Sequence, residues 1–593
     1  MNSTTTVLLW LLLLLNVQKF ISAQSFKCTE TGKCIHKNEK PDNNTLYECQ
    51  NACRLTCGRY GALWPKPTGS TIIKNSVVHL NPHKIRFELR TTNANGQEYL
   101  NAIDEIFLKN IASECEKRDC VTESENEIVI QYAVNVFEDT LTWDTDESYS
   151  LAISTLDQTT TVEISSHTLF GARHALETLS QLITVTNGPS TNFENVLIIV
   201  SSAQIKDRPV YAHRGLLIDT ARHFIPVADI ERALDGMGAS KLNVFHWHAT
   251  DSHSFPLEIP RVPQMTIFGA YSHEEIYTVS DVRHIIEYAK YRGVRVIIEI
   301  DAPSHAGNGW QWGPSYDLGN LTVCVNQQPW RSFCIQPPCG QLNPINLNVY
   351  DVLRDIYRDL LTSLPHETMH MGGDEVHMGC WNSTKEIVDY MYNNGLGQTT
   401  DDFLKLWSDF QSKSLEIWDE ESRATSVTST QKPVILWSSE LTDPANIEKY
   451  LNKERYIIQT WVPLTSPIPK KLLTKGYKLI MSTKDAWYFD HGFWGNTRYY
   501  TWKMAYKNRI PRDRNVLGGE ACVWSELIDN NSIDERTWPR AAAVAERLWS
   551  DPDTDISLAE QRFYRHRERL VDRGIRAEAV APRYCVLNEG ECT

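Results

Sequence analysis

From Arg208-Pro209 to its end the chain repeats one unit, a short apolar run followed by a longer helical pattern. The runs are Gly215–Asp219, Asn243–His246, Val294–Ile300, Thr368–Met371, Val434–Trp437, Tyr456–Gln459, Leu479–Ser482 and Val516–Ala521. Between several of them, apolar residues recur at three- and four-residue spacing, as in Val227–Met237, Val282–Arg292, Val349–Leu364 and Trp538–Trp549. Eight strands alternating with helices predict an α/β protein whose residues 208–593 close into a (β/α)8 TIM barrel with insertions. Such barrels work at the face where the strands end, so the polar residue just past each strand is the informative one.

The chain before the barrel reads differently. Residues 64–207 carry alternating strands (Lys84–Leu89, Glu127–Tyr132, Tyr149–Ser154, Thr160–Ser165) and two helical stretches, Gln97–Ser113 and Leu169–Leu182. This predicts a smaller α+β support domain. Residues 24–63 form a Cys-rich N-terminal segment. Residues 1–23 read as a signal peptide. Val7–Leu15 is an unbroken apolar run, and Ile21-Ser22-Ala23 is a small-residue exit fitting cleavage before Gln24. That run is too short to cross a bilayer comfortably, and no later segment approaches a span.

The strand ends carry a consistent cast. The first leads to Asp219-Thr220-Ala221-Arg222, the second to His246-Trp247-His248 and Asp251, the third to Asp301 and His305. The fourth opens through Gly372-Gly373 into Asp374-Glu375; the fifth and sixth end at Trp437 and Trp461. Trp487-Tyr488 and Asp490 follow the seventh, and Trp524 and Glu526 the eighth. Acids, one Arg and a ring of aromatics at one rim predict a narrow sugar pocket. Two adjacent acids cannot both ionise cheaply, so one pKa rises and leaves an acid beside a base. Breaking a glycosidic bond requires that division. A solvated Asp-Glu pair is the bland alternative, and the surrounding cast outweighs it.

His246-x-His248 on a barrel strand can bind metal, but no matching set of His or Lys follows later strand ends, so no metal is expected. No phosphate loop or dinucleotide fingerprint is present, and no cofactor is expected. The net charge of −15 argues against nucleic acid or an anionic membrane as partner.

Fourteen cysteines agree with an oxidising compartment. Cys28, Cys34, Cys49, Cys53 and Cys57 cluster with one left over. Cys115/Cys120, Cys334/Cys339 and Cys585/Cys592 suit local bridges, Cys324/Cys380 suits a tie beside the acidic pair, and Cys522 reads as a buried thiol. Sequons at Asn43, Asn320, Asn382 and Asn530 predict glycosylation.

Gly372-Gly373-Asp374-Glu375-Val376, His246-Trp247-His248 with Asp251, Asp219-Thr220-Ala221-Arg222 and Gly518-Gly519-Glu520-Ala521-Cys522-Val523-Trp524-Ser525-Glu526 resemble family 20 β-N-acetylhexosaminidases. The resemblance runs from about Trp64 to the C-terminus, and the Cys-rich start and Cys585–Cys592 look most like the insect members. It implies a retaining mechanism in which the substrate's own acetamido oxygen attacks the anomeric carbon. Glu375 would then be general acid and base, Asp374 would orient the acetamido N–H, and Tyr488 would donate to the acetamido oxygen. Trp437, Trp461 and Trp524 would wall the N-acetyl group and stack under the ring. Arg222, Asp490 and Glu526 would bind sugar hydroxyls, with Asp251 and His305 as a polar chain behind the acid. The resemblance also implies a homodimer.

The expected substrate is an oligosaccharide or glycan ending in N-acetylglucosamine or N-acetylgalactosamine, and the expected location is extracellular, with the lysosome as alternative. The moulting chitinolytic members carry a longer loop after strand seven and an apolar residue followed by an acid where this chain has Ile335-Gln336. Set against them, the sequence favours a broader or glycan-trimming enzyme, and chitooligosaccharides and N-glycans stand near even. In the aromatic stretch Phe489–Trp502 after strand seven, near the rim, Trp494 or Trp502 would stack a second sugar or pack the core. Two other readings stay open: a secreted lectin-like protein on a hydrolase scaffold, and a two-carboxylate glycosidase with its own nucleophile.

Overall fold

A computed structural model describes residues 25–37, 49–89, 94–186, 194–364, 368–425 and 431–592. The expected signal peptide and Asn43 lie outside the described residues.

In the N-terminal segment, strands Ser25–Cys28 and Cys34–Lys37 pair antiparallel beside helix Gln50–Thr56. Cys28–Cys57 and Cys34–Cys53 staple them, so the leftover cysteine is Cys49, which is buried. The other bridges join Cys115–Cys120, Cys324–Cys380, Cys334–Cys339 and Cys585–Cys592, and Cys522 is a buried free thiol.

The next layer is a six-stranded sheet in the order Thr71–Ile73, Ser202–Asp207, Tyr149–Leu156, Thr159–Thr168, Glu127–Val136, Ile85–Leu89. Alternation along Thr159–Thr168 buries every second residue, as a sheet with one covered face requires. Helix Leu169–Ser180, fully buried, covers that face together with Ala94–Glu116. Thr168 caps Leu169–Ser180 by accepting the Gly171 N–H.

The barrel strands are His213–Asp219, Val244–Thr250, Arg295–Ile300, Val434–Trp437, Tyr456–Thr460, Lys478–Met481 and Val516–Val523, all parallel. Residues 368–371 do not make a full strand. His370 alone bridges Glu299 on one side and Ile435 on the other, and this single residue closes the ring. The second strand outruns its expected end at His246 and reaches Thr250, so His246 and His248 lie inside the barrel.

Inward positions fall two residues apart and stack in layers. Val244, Ile297, Ile435, Ile457 and Ile480 form a dry lower layer. Two residues on, the same strands contribute His246, Glu299, Trp437, Gln459 and Ser482, all buried. The barrel is thus apolar at its base and polar beneath the site.

Buried ion pairs fasten the support domain to the base. Arg214 donates to both oxygens of Glu147 at 2.6 and 3.0 Å, and Lys241 lies 3.1 Å from Asp207, which also accepts the Trp549 indole. That fastening leaves the opposite face free for chemistry.

Candidate active site

A pocket of about 430 Å³ opens on the face where the strands end. Asp374, Glu375, Tyr488, Arg222, His305, Trp437, Trp461, Asp490, Trp524 and Glu526 line it. Of the site residues expected from sequence, only Asp251 lies behind the wall, buried and 2.8 Å from the Arg222 guanidinium.

The Gly-Gly pair before the acids has a local reason. Gly372 and Gly373 hold φ of 60° and 83°, where side chains are rarely tolerated. A Cβ on Gly372 would fall on the Asp301 carboxylate, which accepts the Gly373 N–H at 2.9 Å. Glu375 follows with φ 50°, and Ser304 donates to its carbonyl at 3.2 Å.

Behind Glu375 runs a polar chain. Its Oε2 lies 3.5 Å from His305 Nε2; His305 Nδ1 lies 3.3 Å from Asp251 Oδ2, which His248 Nε2 meets at 3.3 Å. Burial lowers His305, but the Asp251 charge outweighs it and holds the imidazole well above its usual range, as a cation. Burial raises Glu375, yet the hydrogen bond and charge of His305 prevail and bring its carboxyl below the ordinary value. Burial, aided by Glu375, pushes Asp374 up to about 6, and it pushes Asp301 well above the usual range with help from Asp374. The pair therefore splits as expected, but in the other direction: Asp374 is raised and Glu375 is not. The cause is the imidazolium of His305: its charge lowers both acids, but of the two only Glu375 also receives its hydrogen bond, while burial prevails at Asp374.

The far end of the pocket carries Arg222, Asp490 and Glu526. Arg222 pairs with Asp219 at 3.1 Å as well as with Asp251, and it lies 5.2 Å over the Trp524 ring. Gln336 bridges this end, accepting from Arg222 and donating to Glu526, both at 2.9 Å. Burial and the Glu526 charge lift Asp490 to about 7. Arg222 Nε, Asp374 Oδ1, Asp490 Oδ1 and Glu526 Oε2 are buried without a protein partner. Buried polar atoms are ordinarily satisfied, so four such atoms around one pocket mark a place for a polyhydroxylated ligand.

Trp437 and Trp524 pack at 5.8 Å, with Tyr488 6.3 Å from Trp524. Trp494 is 41% exposed at the rim and donates to Asp490 at 3.0 Å, whereas Trp502 stacks on Phe563 at 4.0 Å in the core. Trp330 also lines the mouth, as do Ile335 and Pro337 on the loop closed by Cys334–Cys339. The sequence does not mark Trp330 or Lys484, because no periodicity marks a loop, while Gln336, notable there only as a departure from the chitinolytic pattern, proves to lie in the lining. Sequence reasoning also passed over Glu299 and His370, although Glu299 shares strand parity with Asp301.

Donor atoms of His246, Glu299 and His370 gather closely enough to hold an ion. Their chemistry fits an ion-pair lattice better. Burial lowers His246, but Glu520 and Glu299 outweigh it and raise the imidazole to about 9, so it is a cation without a free lone pair. His370 Nδ1 is engaged by the Gly372 N–H at 3.0 Å.

Asn320, Asn382 and Asn530 are exposed, as glycosylation sites must be. No helix among the described residues is long and apolar enough to cross a membrane.

Fold and pocket define a carbohydrate-cleaving barrel with paired carboxyls. Residues 211–552 match the model "Glycosyl hydrolase family 20, catalytic domain", and residues 63–182 match "beta-acetyl hexosaminidase like". The chain is similar to the chitooligosaccharidolytic β-N-acetylglucosaminidases of Bombyx mori (42% identity) and Ostrinia furnacalis (39%), with 95% of this chain and 94% of each relative covered. Among solved structures it resembles the Flavobacterium johnsoniae chitobiase, at 25% identity and a TM-score of 0.67, covering 87% of this chain and 73% of that one. The chain belongs to glycosyl hydrolase family 20 and is a β-N-acetylhexosaminidase, a glycosidase and not a lectin.

Proposed function

We propose that this enzyme releases terminal N-acetylhexosamine by retention assisted by the substrate, through the following residues. The acetamido oxygen attacks the anomeric carbon while Glu375 gives its proton to the departing oxygen, forming a bicyclic oxazolinium. Glu375 then takes a proton from water, which opens the ring with the original configuration. Asp374 accepts the acetamido N–H and balances the positive charge that develops on it. Tyr488, its phenol kept protonated by burial, donates to the acetamido oxygen. Trp437, Trp461 and Trp524 enclose the N-acetyl group and sugar face, while Arg222, Asp490 and Glu526 hold hydroxyls.

The observation that carries this reading is the His305–Glu375 pair. In the open pocket the proton of the Asp251–His305–Glu375 chain rests on the imidazole. A bound sugar removes water from Glu375 and favours its neutral form, so the proton moves from His305 to the carboxyl where it is needed. Hydrolysis of an N-acetyl-β-glucosaminide against the matching glucoside tests the mechanism. A glucoside cut equally fast would end it in favour of a protein nucleophile.

For the natural substrate we infer chitooligosaccharides, supported by the names of the two insect relatives and by the aromatic Trp494 at the rim. Comparing chitotriose with a biantennary N-glycan decides it. Secretion as a glycoprotein belongs to the same proposal and is supported by six disulfides and three exposed sequons among the described residues.

A further inference from the structure

One carboxylate outside the pocket touches both halves of the machinery. Glu299 sits on Arg295–Ile300, fully buried in the polar layer of the barrel. Its Oε1 accepts the Trp437 indole N–H at 2.7 Å, and its Oε2 accepts His248 Nδ1 at 2.7 Å. His246 Nε2 lies 2.9 Å from the same Oε2. Trp437 is a wall of the pocket. His248 leads through Asp251 and His305 to Glu375, and its ring meets Trp524 edge-on at 4.9 Å.

We propose that Glu299 is a positioning residue that sets the acetamido wall and the proton donor in register, by anchoring Trp437 with one oxygen and the chain behind Glu375 with the other. This rests on the roles given to Glu375 and Trp437 above. Geometry makes the demand specific. Two donors from different strands converge on two oxygens of one rigid group, so neither can shift without the other. An amide cannot serve both, since it accepts at one end only. In Glu299→Gln either the indole or the imidazole loses its acceptor, and the imidazole also loses the negative charge that favours its cationic form.

The two paths separate by leaving group. A phenyl glycoside needs the proton from Glu375; a dinitrophenyl glycoside, whose phenol is acidic, leaves without it. Glu299→Gln is expected to lower kcat on the phenyl glycoside about tenfold or more, a part of the ~10²–10⁴-fold that a positioned general acid is worth. The loss on the dinitrophenyl glycoside should be clearly smaller, with weaker binding of the thiazoline mimic of the bicyclic intermediate through the loosened Trp437. Equal losses on both glycosides, or none, overturn the proposal, because a merely structural defect does not distinguish leaving groups. Should Glu299→Gln fail to fold, His248→Gln must show the same split, and equal losses there overturn it as well. Glu375→Gln measured alongside separates the two readings. If it shows no split, the assignment of Glu375 falls; if it does and Glu299→Gln does not, only the role of Glu299 falls.

Discussion

His305 and Glu375 meet at 3.5 Å, and both hold the left-handed backbone, with φ of 53° and 50°. Residues other than glycine take that conformation at a cost of order 1–3 kcal/mol each, and such strain gathers at functional sites. Asn tolerates it better than Glu. Glu375→Asn should therefore abolish most turnover while leaving the fold as stable as before, or more stable by about 1 kcal/mol. Thermal unfolding of the pure variant measures this; a marked fall in the midpoint would contradict the strain argument.

The acid itself is tested more gently by Glu375→Gln, which keeps shape and removes the proton. Turnover should drop by ~10²–10⁴-fold with substrate affinity nearly unchanged, the span expected of a positioned general acid. Single-turnover kinetics and inhibitor binding give the two quantities separately.

Asp251 supplies the charge that keeps His305 protonated against its burial. With Asp251→Asn the imidazole loses its proton at lower pH, and the proton available to Glu375 goes with it. The basic limb of the kcat/KM profile should move toward acid. An unmoved limb would show that His305 does not govern it.

Asp374→Ala should cost almost as much as loss of the acid, but only for substrates bearing the acetamido group. A pair of aryl glycosides with and without that group makes the comparison. Near-full activity on the N-acetyl substrate would remove Asp374 from its assigned role.

Asp490 titrates near 7 when folded, lifted first by burial and then by Glu526. A carboxyl raised on folding favours the folded state below its unfolded value, and that contribution is lost as pH climbs through the folded one. The window runs from about 4 to about 7. Asp490→Asn should flatten the decline of stability across it. Unfolding midpoints of both proteins against pH reveal whether the curves converge at the acid end and separate at neutrality.

How much of this was legible beforehand divides by the range of the interactions. Seven of the eight barrel strands were readable from apolar runs, because strand periodicity and helix periodicity are local properties of the chain. The fourth was readable only as a place. Residues 368–371 pair through His370 alone, since the chain leaves the sheet at once to make the Gly372–Gly373 turn that presents the acids.

Sequence by itself determined which residues stand at the strand ends, and so the acids, the Arg and the Trp wall of the pocket, since one residue past a strand is one position whatever the tertiary detail. The loop residues Trp330, Ile335 and Pro337 at its mouth came only with the fold. Only the folded structure decided the charges on them. Glu375 reads as the raised acid until His305 is found beside it, and Glu299 reads as one more core residue until Trp437 and His248 arrive at its two oxygens from strands distant in the chain. A pKa depends on what lies within a few ångströms in space, and no pattern along a single strand encodes what another strand brings there.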